Sequence, residues 1–392
     1  MRSKRSLIFL GVFMSALAGI HLYLAKSLVL DLALDPAWQL PGLVVAGLLF
    51  CLAPACVLAL GLLPRIWARP IVLPATLWLG FMFLLFSATL ATDFLWWALG
   101  TPAQAAISGP VPPGAEQART QALTVVLLAG LGGWLGIFNA IRGPRDKRVE
   151  VWLERLPRQF DGFRIVQLSD LHIGPLLGSR FLARVVRRCN ALSPDLVAIT
   201  GDLVDGEESE VGSDLEVLRE LRSPHGTFFV TGNHDSYSGP SAWPRRLHEL
   251  GVQVLRNERR RISRGADSFE LAGVDDYQVR SVPGFGEDRE AALSDWNRDS
   301  ALVLLAHDPR SFHGARRFDV DLQLSGHTHG GQIWPFRYVV RLVQPWLSGL
   351  YREGEDRSQL YVSRGTGFWG PPMRLFAPAE ITELVLRAGS GR

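Results

Sequence analysis

Hydrophobic and polar positions follow different patterns in the two halves of the chain. In the first half, apolar residues form long windows without a charged residue, at positions 6–25, 37–64, 70–92 and 121–141. Each window reaches the ~20 residues that an α-helix needs to cross a bilayer. The pattern predicts an N-terminal all-α region of about four transmembrane helices, which serves as a membrane anchor over residues 1–149.

In the second half, short apolar runs alternate with amphipathic segments. The runs lie at 165–168, 196–199, 228–230, 302–306 and 322–324. They are typical of buried strands, while 181–189 has the spacing of an amphipathic helix. Strands that alternate with helices indicate an α/β domain. We expect this domain to cover residues 150–392.

Charge is distributed unevenly between the halves. The 392 residues have a net charge of +3, but residues 1–149 hold 11 Lys and Arg against 5 Asp and Glu, and residues 150–392 hold 30 against 33. A nucleic-acid-binding domain usually carries a basic stripe, so no nucleic-acid partner is expected. Cys51, Cys56 and Cys189 show no paired spacing in a soluble region, which argues against a disulfide framework or a thiolate zinc site.

Basic residues beside the apolar windows predict the orientation in the membrane. Nine lie on one side, at positions 2, 4, 5, 65, 69, 142, 145, 147 and 148, and two on the other, at 26 and 119. Because cytoplasmic flanks are enriched in Lys and Arg, we expect an inner (plasma) membrane protein whose N-terminus and C-terminal domain are cytoplasmic. Ala16-Leu17-Ala18 leaves open a cleaved signal peptide, which would not change this orientation.

Metal-binding residue types follow the apolar runs, where strands are expected to end. Ligands gather at the carboxyl ends of strands in α/β sheets, and residues two apart in an extended segment point to the same side. A lone His or Asp there is usually a hydrogen-bonded or capping residue, but five segments in succession are not expected by chance. The segments are Asp170-Leu171-His172, Gly201-Asp202, Gly232-Asn233-His234-Asp235, His307 and Gly326-His327-Thr328-His329.

These segments resemble, in order, the signature of the calcineurin-like metallophosphoesterase superfamily: Asp-x-His, Gly-Asp, Gly-Asn-His-Asp, His and Gly-His-x-His. The resemblance covers about residues 163–386. It looks closest to the bacterial membrane-attached branch, which is similar at 326–332, 349–351, 361–365 and in a late strand at 380–386. The resemblance implies a four-layer α-β-β-α sandwich, with its site formed by loops at one edge of paired sheets.

The resemblance also implies two metal sites that share one residue. One ion is bound by Asp170, His172, Asp202 and His329, and the other by Asp202, Asn233, His307 and His327. Imidazole and oxygen ligands permit Mn, Fe, Zn or Co without choosing among them. The family analogy makes His234 the catalytic group that protonates the leaving oxygen or stabilises charge there. Asp235 is expected either to orient the ring of His234 or to cap the following turn.

We therefore interpret the protein as a membrane-anchored, dinuclear-metal phosphoesterase. Two metal ions supply a nucleophile at neutral pH and neutralise phosphoryl charge, which is what phosphoester hydrolysis needs. The branch it resembles favours a phosphodiester or pyrophosphate-linked substrate, including a lipid-linked one. One alternative is a non-catalytic interaction platform, which missing ligands would mark. Another is a membrane sensor with phosphoesterase output, which paired ionisable residues in the spans would mark.

An aromatic segment at 333–351 follows the last two histidines and is compatible with two placements. It interleaves Trp, Phe and Tyr with aliphatic residues and with Arg337 and Arg341. This composition suits a membrane interface, where the segment would line the entrance for a lipid-linked substrate. In the other placement the segment folds inward as core, which is the common use of large apolar residues.

Overall fold

The structure is a computed structural model, and it describes residues 2–32, 34–99, 114–239, 242–279, 285–352 and 357–390. The chain forms two compact units. One unit comprises Met1–Ile137 and Gly370–Met373, and the other comprises Phe138–Trp369 and Arg374–Arg392.

The first unit contains four long apolar helices. They are α1 (Arg2–Ala25), which continues as a π-helical turn at Lys26–Leu30, α2 (Pro36–Leu62), α3 (Arg65–Leu99) and α4 (Ala115–Arg142). Asp35 caps α2, because its carboxylate accepts the N–H of Ala37 at 2.8 Å. All four helices are long and apolar enough to cross a membrane. The predicted N-terminal region of four apolar helices is confirmed.

Polar side chains of these helices are paired with residues of the same unit. Nδ1 of His21 lies 2.8 Å from the carbonyl oxygen of Leu17, and the indole N–H of Trp78 donates to Nε2 at 3.0 Å. Because Trp78 can only donate, Nε2 of His21 accepts and Nδ1 donates, so both nitrogens are satisfied. Near the end of α3, Asp93 accepts hydrogen bonds from Tyr23 of α1 and Gln121 of α4.

The second unit contains two six-stranded sheets. The first has the order β1 (Arg145–Leu153), β12 (Glu380–Ala388), β2 (Phe163–Leu168), β3 (Leu196–Thr200), β4 (Thr227–Val230), β5 (Val252–Val254). The second has the order β10 (Gly349–Arg352), β11 (Gln359–Val362), β9 (Leu322–Ser325), β8 (Leu302–Leu305), β7 (Asp267–Gly273), β6 (Glu258–Arg264). Neighbours β2 to β5 are parallel, as are β7, β8, β9 and β11. The carboxyl ends of the central strands therefore share one edge in each sheet.

Short helices surround the sheets. They are α5 (Ser179–Ala191), α6 (Glu208–Val211), α7 (Asn233–Tyr237), α8 (Ala242–Glu249), α9 (Arg289–Leu293), α10 (Phe312–Ala315) and α11 (Arg337–Val343). Shorter 3-10 segments lie at Arg158–Phe160, Gly212–Glu220, Tyr277–Val279, Pro309–Ser311, Arg316–Phe318 and His329–Gly331.

Apolar cores lie between the sheets and on both outer faces. Between the sheets, Ile165 of β2 and Leu271 of β7 belong to one buried core. On the outer face of the first sheet, α5 buries residues 181, 182, 185, 186 and 189, a stripe at helical spacing. Helix α9 contributes to the core on the outer face of the second sheet. The layer order is α-β-β-α, so the predicted four-layer sandwich is confirmed.

The predicted strands begin and end within two residues of their positions in the structure. The boundary between residues 149 and 150 stays a prediction. Strand β1 crosses these positions and pairs in parallel with β12, from Arg145 beside Glu380 to Leu153 beside Ala388.

Candidate metal centre

The seven predicted ligands lie in loops that follow strands of both sheets. Asp170 and His172 follow β2, Asp202 follows β3, Asn233 follows β4, His307 follows β8, and His327 and His329 follow β9. Backbone hydrogen bonds join the first two loops, because the N–H groups of Asp170 and His172 donate to the carbonyl oxygens of Gly201 and Asp202, each at 3.0 Å. The role of these residues as ligands stays a prediction, whereas their convergence at one edge is observed.

Several of these residues have a strained backbone. Positive φ angles between 47° and 67° occur at Asp170, His172, Asp202, His327 and His329. Residues other than glycine rarely adopt this conformation, and each instance costs about 1–3 kcal/mol and persists only where the surroundings impose it. Such strain concentrates at functional sites, because it aims side chains where regular strands or helices would not.

The first group of candidate ligands is formed by Asp170, His172 and His329. Nε2 of His329 lies 3.4 Å from Oδ1 of Asp170 and 3.1 Å from Nε2 of His172. All three residues are buried. Nε2 of His172 also lies 3.9 Å from Oδ2 of Asp202, which connects this group to the second.

The second group is formed by Asp202, His307 and His327. Nδ1 of His307 donates to the carbonyl oxygen of Thr200 at 2.8 Å, which leaves the lone pair of the neutral ring on Nε2. This Nε2 lies 3.2 Å from Oδ2 of Asp202 and, within the described residues, has no hydrogen-bond partner. Two buried electron-rich atoms at this distance need a cation between them.

That cation is either a proton or a metal ion. Burial lowers the pKa of His307, but the carboxylate of Asp202 outweighs burial and raises the pKa well above its usual value. A metal ion bound by both residues would replace the proton and keep the ring neutral. Oδ1 of Asn233 is a second buried atom without a hydrogen-bond partner among the described residues. These nitrogen and oxygen atoms, which carry free electron pairs, are suitable ligands for a metal ion.

Glycines allow the loops to approach one another closely. A Cβ atom at Gly232 would lie 2.2 Å from Oδ1 of Asp202, and one at Gly201 would lie 2.5 Å from Nδ1 of His307. Neither loop could keep its position with a larger residue. The Gly-Asp and Gly-Asn pairs of the sequence are therefore steric requirements of the site.

His234 is joined to a carboxylate that the sequence analysis did not select. Its Nδ1 lies 2.7 Å from Oδ1 of Asp205. The same oxygen lies 3.0 Å from Nδ1 of His172. Burial lowers the pKa of His234, but the hydrogen bond to Asp205 and the charge of Asp202 raise it to about 9. In the absence of a metal, the ring is therefore protonated at neutral pH. The signal for Asp205 was its place three residues after Asp202 in the same loop.

Asp235 accepts hydrogen bonds from backbone N–H groups and does not orient the ring of His234. Its Oδ1 accepts the N–H groups of Leu203 and Val204 at 2.9 and 3.1 Å, and its Oδ2 accepts that of Gly232 at 2.8 Å. The expectation that Asp235 holds the ring is wrong, since both oxygens face backbone donors. The alternative, a capping role, is confirmed.

Arg374 is a second residue that the sequence analysis missed. It is fully buried, and its guanidinium donates to the carbonyl oxygens of His329, Arg364 and Gly367 at 3.0, 2.7 and 3.1 Å. Burial lowers its pKa to about 10, which leaves it charged at neutral pH. One planar group thus joins the loop after β11, at Arg364 and Gly367, to the loop that carries His329. A single Arg in the sequence carries no signal of this role.

Comparisons with known proteins find similar sequences and structures. Residues 163–331 match the family described as calcineurin-like phosphoesterase. A Danio rerio "Transmembrane protein with metallophosphoesterase domain" is 39% identical over 277 residues, which cover 69% of this chain and 63% of that protein. An "Uncharacterized metallophosphoesterase" of Aquifex aeolicus is 32% identical, over 62% of this chain and 92% of that protein. The Haemophilus influenzae NAD nucleotidase structure has a TM-score of 0.38 at 15% identity, over 52% of this chain and 45% of that one.

The four-layer fold and the clustered imidazole, carboxylate and amide groups define a metal-binding α/β domain of the phosphoesterase class. The chain belongs to the calcineurin-like phosphoesterase family. The resemblance found in its sequence is confirmed. The chain spans 63% and 60% of the lengths of its Danio rerio and Bos taurus relatives, both named as transmembrane proteins.

Asp205→Asn is expected to lower turnover by about 10–100-fold, the usual cost of removing a partner that orients a metal-binding or catalytic histidine. The amide keeps the shape of the side chain but removes the charge that both imidazoles face. Steady-state kinetics on a soluble nitrophenyl diester, with metal content by elemental analysis, measures the effect. We expect kcat to fall more than KM rises.

The double variant with His234→Ala tests whether Asp205 acts through His234. In that background Asp205→Asn should cost much less than it does alone, because one of its two contacts is already lost. Equal costs in both backgrounds would contradict the role. Asp235→Asn is the matched comparison, since it should chiefly lower the melting temperature by leaving backbone N–H groups poorly paired.

Proposed function

We propose that the protein is a membrane-anchored, metal-dependent phosphoester hydrolase with two metal ions. The observation that carries this proposal is the position of Asp202. Its Oδ2 lies 3.2 Å from Nε2 of His307 and 3.9 Å from Nε2 of His172, so one carboxylate faces ligands of both groups. A bridging carboxylate serves two ions at once.

The residues divide into the two ligand sets that the family resemblance implies. Asp170, His172, Asp202 and His329 hold one ion, and Asp202, Asn233, His307 and His327 hold the other. When bound, the two ions supply a nucleophile at neutral pH and neutralise charge on the phosphoryl oxygens. The absence of sulfur from both sets leaves Mn, Fe, Zn and Co as candidates.

His234 is the group that we assign to the leaving oxygen. Asp205 holds its ring by Nδ1, which leaves Nε2 to donate a proton. Burial lowers the pKa of the ring, but the hydrogen bond to Asp205 raises it, which favours the protonated form that a leaving-group acid needs. The ring is also partly accessible, with 23% of the side chain exposed, as a group that must reach a substrate needs to be.

The substrate that we propose is a phosphodiester or a pyrophosphate-linked compound. Two aromatic side chains flank the ring of His234, with centroid distances of 5.9 Å to Tyr237 and 5.8 Å to Trp369. They are 72% and 52% exposed, so a leaving group next to His234 would meet apolar surface. A membrane-anchored enzyme with such surface suits a lipid-linked substrate.

The alternatives lack comparable support. An interaction platform has no need for seven converging candidate ligands, five of which have a strained backbone. A sensor output would require facing ionisable groups in the spans. The described helices pair Asp93 with Tyr23 and Gln121, and they pair His21 with Trp78.

We further propose that the protein lies in the inner membrane with the catalytic domain in the cytoplasm. The support is the distribution of basic flanks, nine against two. Three of the nine belong to strand β1, at 145, 147 and 148. Without them the ratio is still six against two.

Asp202→Asn should reduce bound metal to one ion per chain or fewer and remove most turnover, because the shared carboxylate serves both ions. Elemental analysis after reconstitution with Mn, Zn, Fe or Co gives the metal content. Asp299→Asn is the matched control, since this exposed carboxylate precedes β8 at the end opposite His307. Natural protein that never binds more than one ion per chain would refute the two-metal proposal.

His234→Ala should lower turnover by roughly 10²–10⁴-fold, the usual contribution of a proton-transfer group, with both ions retained. The loss should shrink for nitrophenyl esters, whose leaving group needs no proton. Comparison of nitrophenyl and alkyl esters measures this difference, and His248→Ala on the exposed side of α8 is the control. Equal losses on both esters would argue against a leaving-group acid.

Two reporters fused after Arg392 test the orientation. A fluorescent protein that folds only in the cytoplasm should be active, and a phosphatase that folds only in the periplasm should be inactive. Fusion within β1 is unsuitable, because β1 pairs with the late strand β12. The opposite pattern of activity would overturn the proposed orientation.

A further inference from the structure

In the catalytic unit, the second of the two units, the exposed apolar residues that follow helix α4 are concentrated around helix α11. Of the ten large apolar side chains that are exposed after Arg145 in the described residues, six lie between Trp334 and Val343. A soluble domain scatters such residues singly, whereas a contiguous group marks an interaction site.

The exposed side of α11 is mostly apolar. Tyr338, Val339, Leu342 and Val343 are 56%, 51%, 84% and 66% exposed. Their spacing of i, i+1, i+4 and i+5 places them on one side of the helix. The helix buries no residue, so the usual arrangement, with apolar residues inward and polar residues outward, is not followed.

The rest of the aromatic segment behaves differently. Trp346 is 3% exposed and packs edge-to-face against Phe312, with a centroid distance of 5.4 Å. The inward placement expected from the sequence therefore applies to one part of the segment, whereas the membrane-interface placement stays a prediction. The part from 334 to 343 is exposed, and the part around Trp346 is core.

Phe376 extends the exposed area from another loop. It is 69% exposed, its ring lies 6.3 Å from that of Trp334, and Ile333 pairs with Leu375 next to it. Its φ of 57° is a strained conformation for a bulky residue. Strain that exposes an aromatic ring is not explained by core packing. We call these residues the α11 surface: Trp334, Phe336, Tyr338, Val339, Leu342, Val343 and Phe376.

The charged residues in the sequence around α11 are of one sign. Between residues 322 and 352 the sequence contains no Asp or Glu and contains Arg337, Arg341 and Arg352. Arg341 is exposed on α11 itself. Aromatic and aliphatic side chains beside arginines match the boundary between headgroups and acyl chains of an anionic bilayer.

The α11 surface is joined to the candidate metal centre by a short loop. Gly331, two residues after His329, lies so close to Arg337 that a Cβ atom on it would be 2.4 Å from the Cα of Arg337. Gln332 forms two hydrogen bonds with the backbone of Trp369, at 2.7 and 3.0 Å. The loop thus contacts both the helix and the tryptophan beside His234.

We propose that the α11 surface docks on the anionic leaflet of the membrane in which the chain is anchored. The bilayer is favoured over a second copy of the chain by the arginines, which would repel their counterparts across a two-fold interface but attract anionic headgroups. Docking delivers a lipid-linked phosphoester to the loop that carries His329, a consequence that rests on the proposed function.

A fluorescent probe on residue 342 tests the docking directly. The full-length protein, with Cys51→Ala, Cys56→Ala and Leu342→Cys, is labelled with an environment-sensitive dye and placed in nanodiscs of phosphatidylcholine and phosphatidylglycerol. Cys189 is buried and does not compete for label. We expect the emission of the dye to be blue-shifted, because interfacial helices insert ~5–10 Å. Lipids with nitroxide-labelled acyl chains should quench most of this emission.

The same dye at Arg260→Cys is the matched control, since this exposed position lies on strand β6. It should remain in water and lose little emission. Arg341→Glu, added to Leu342→Cys, should weaken the quenching, and so should discs of phosphatidylcholine alone.

Two results would overturn the proposal. Equally weak quenching at 342 and 260 would show that the surface faces water. A blue shift at 342 without quenching by lipid would show that protein, such as a second copy, covers it. Turnover of a soluble diester by the same samples reports the metal centre separately, so its loss would count against the proposed function and not against docking.

Discussion

A carboxylate buried between histidines from two sheets is the constraint on which the catalytic unit depends. Asp202 is 2% exposed, and an ionised carboxylate at that depth is stable only with cations or donors around it. The backbone N–H of His234 donates one hydrogen bond to Oδ1 of Asp202, at 2.9 Å. A metal ion bound by Asp202 and His307 would supply the remaining positive charge.

The two sheets fix the positions of the candidate ligands relative to one another. Asp170, Asp202 and Asn233 come from strands of the first sheet, whereas His307 and His327 come from the second. The distance between these sets is therefore determined by the core between the sheets, which is close-packed and resists deformation. Loops that must converge across this gap accept left-handed conformations, and Arg374 and Asp235 offset part of their cost through hydrogen bonds to backbone groups.

The two units of the chain meet different solvents. The helices of the first unit present apolar side chains outward, as Leu22 and Leu62 do at 73% and 76% exposure, which suits lipid and would be unfavourable in water. The catalytic unit buries an apolar core between its sheets, and most of its exposed large apolar residues after Arg145 belong to the α11 surface. A domain that is tied to a bilayer by its own chain can keep such a surface without the aggregation that a free soluble protein would suffer.

The sequence by itself determined the elements whose cause is local. Apolar windows of membrane-spanning length, apolar runs that end in Gly-Asp or Gly-Asn, and the i, i+2 pairs of Asp and His are all visible along the chain, because backbone periodicity and strand ends leave a short-range pattern. The glycines were visible too, although only the structure shows that Gly232 is required by contact with Asp202.

Tertiary structure alone decided the contacts between residues far apart in the chain. Asp205 reaches His234 across 29 residues and Arg374 reaches His329 across 45, and neither spacing has a local signature. The same limit applies to Asp235, which faces backbone donors and not the neighbouring ring, and to the separation of Trp346 from Leu342. Both are large apolar residues in one segment, and only the neighbouring layers determine that Trp346 packs against Phe312 while Leu342 is 84% exposed.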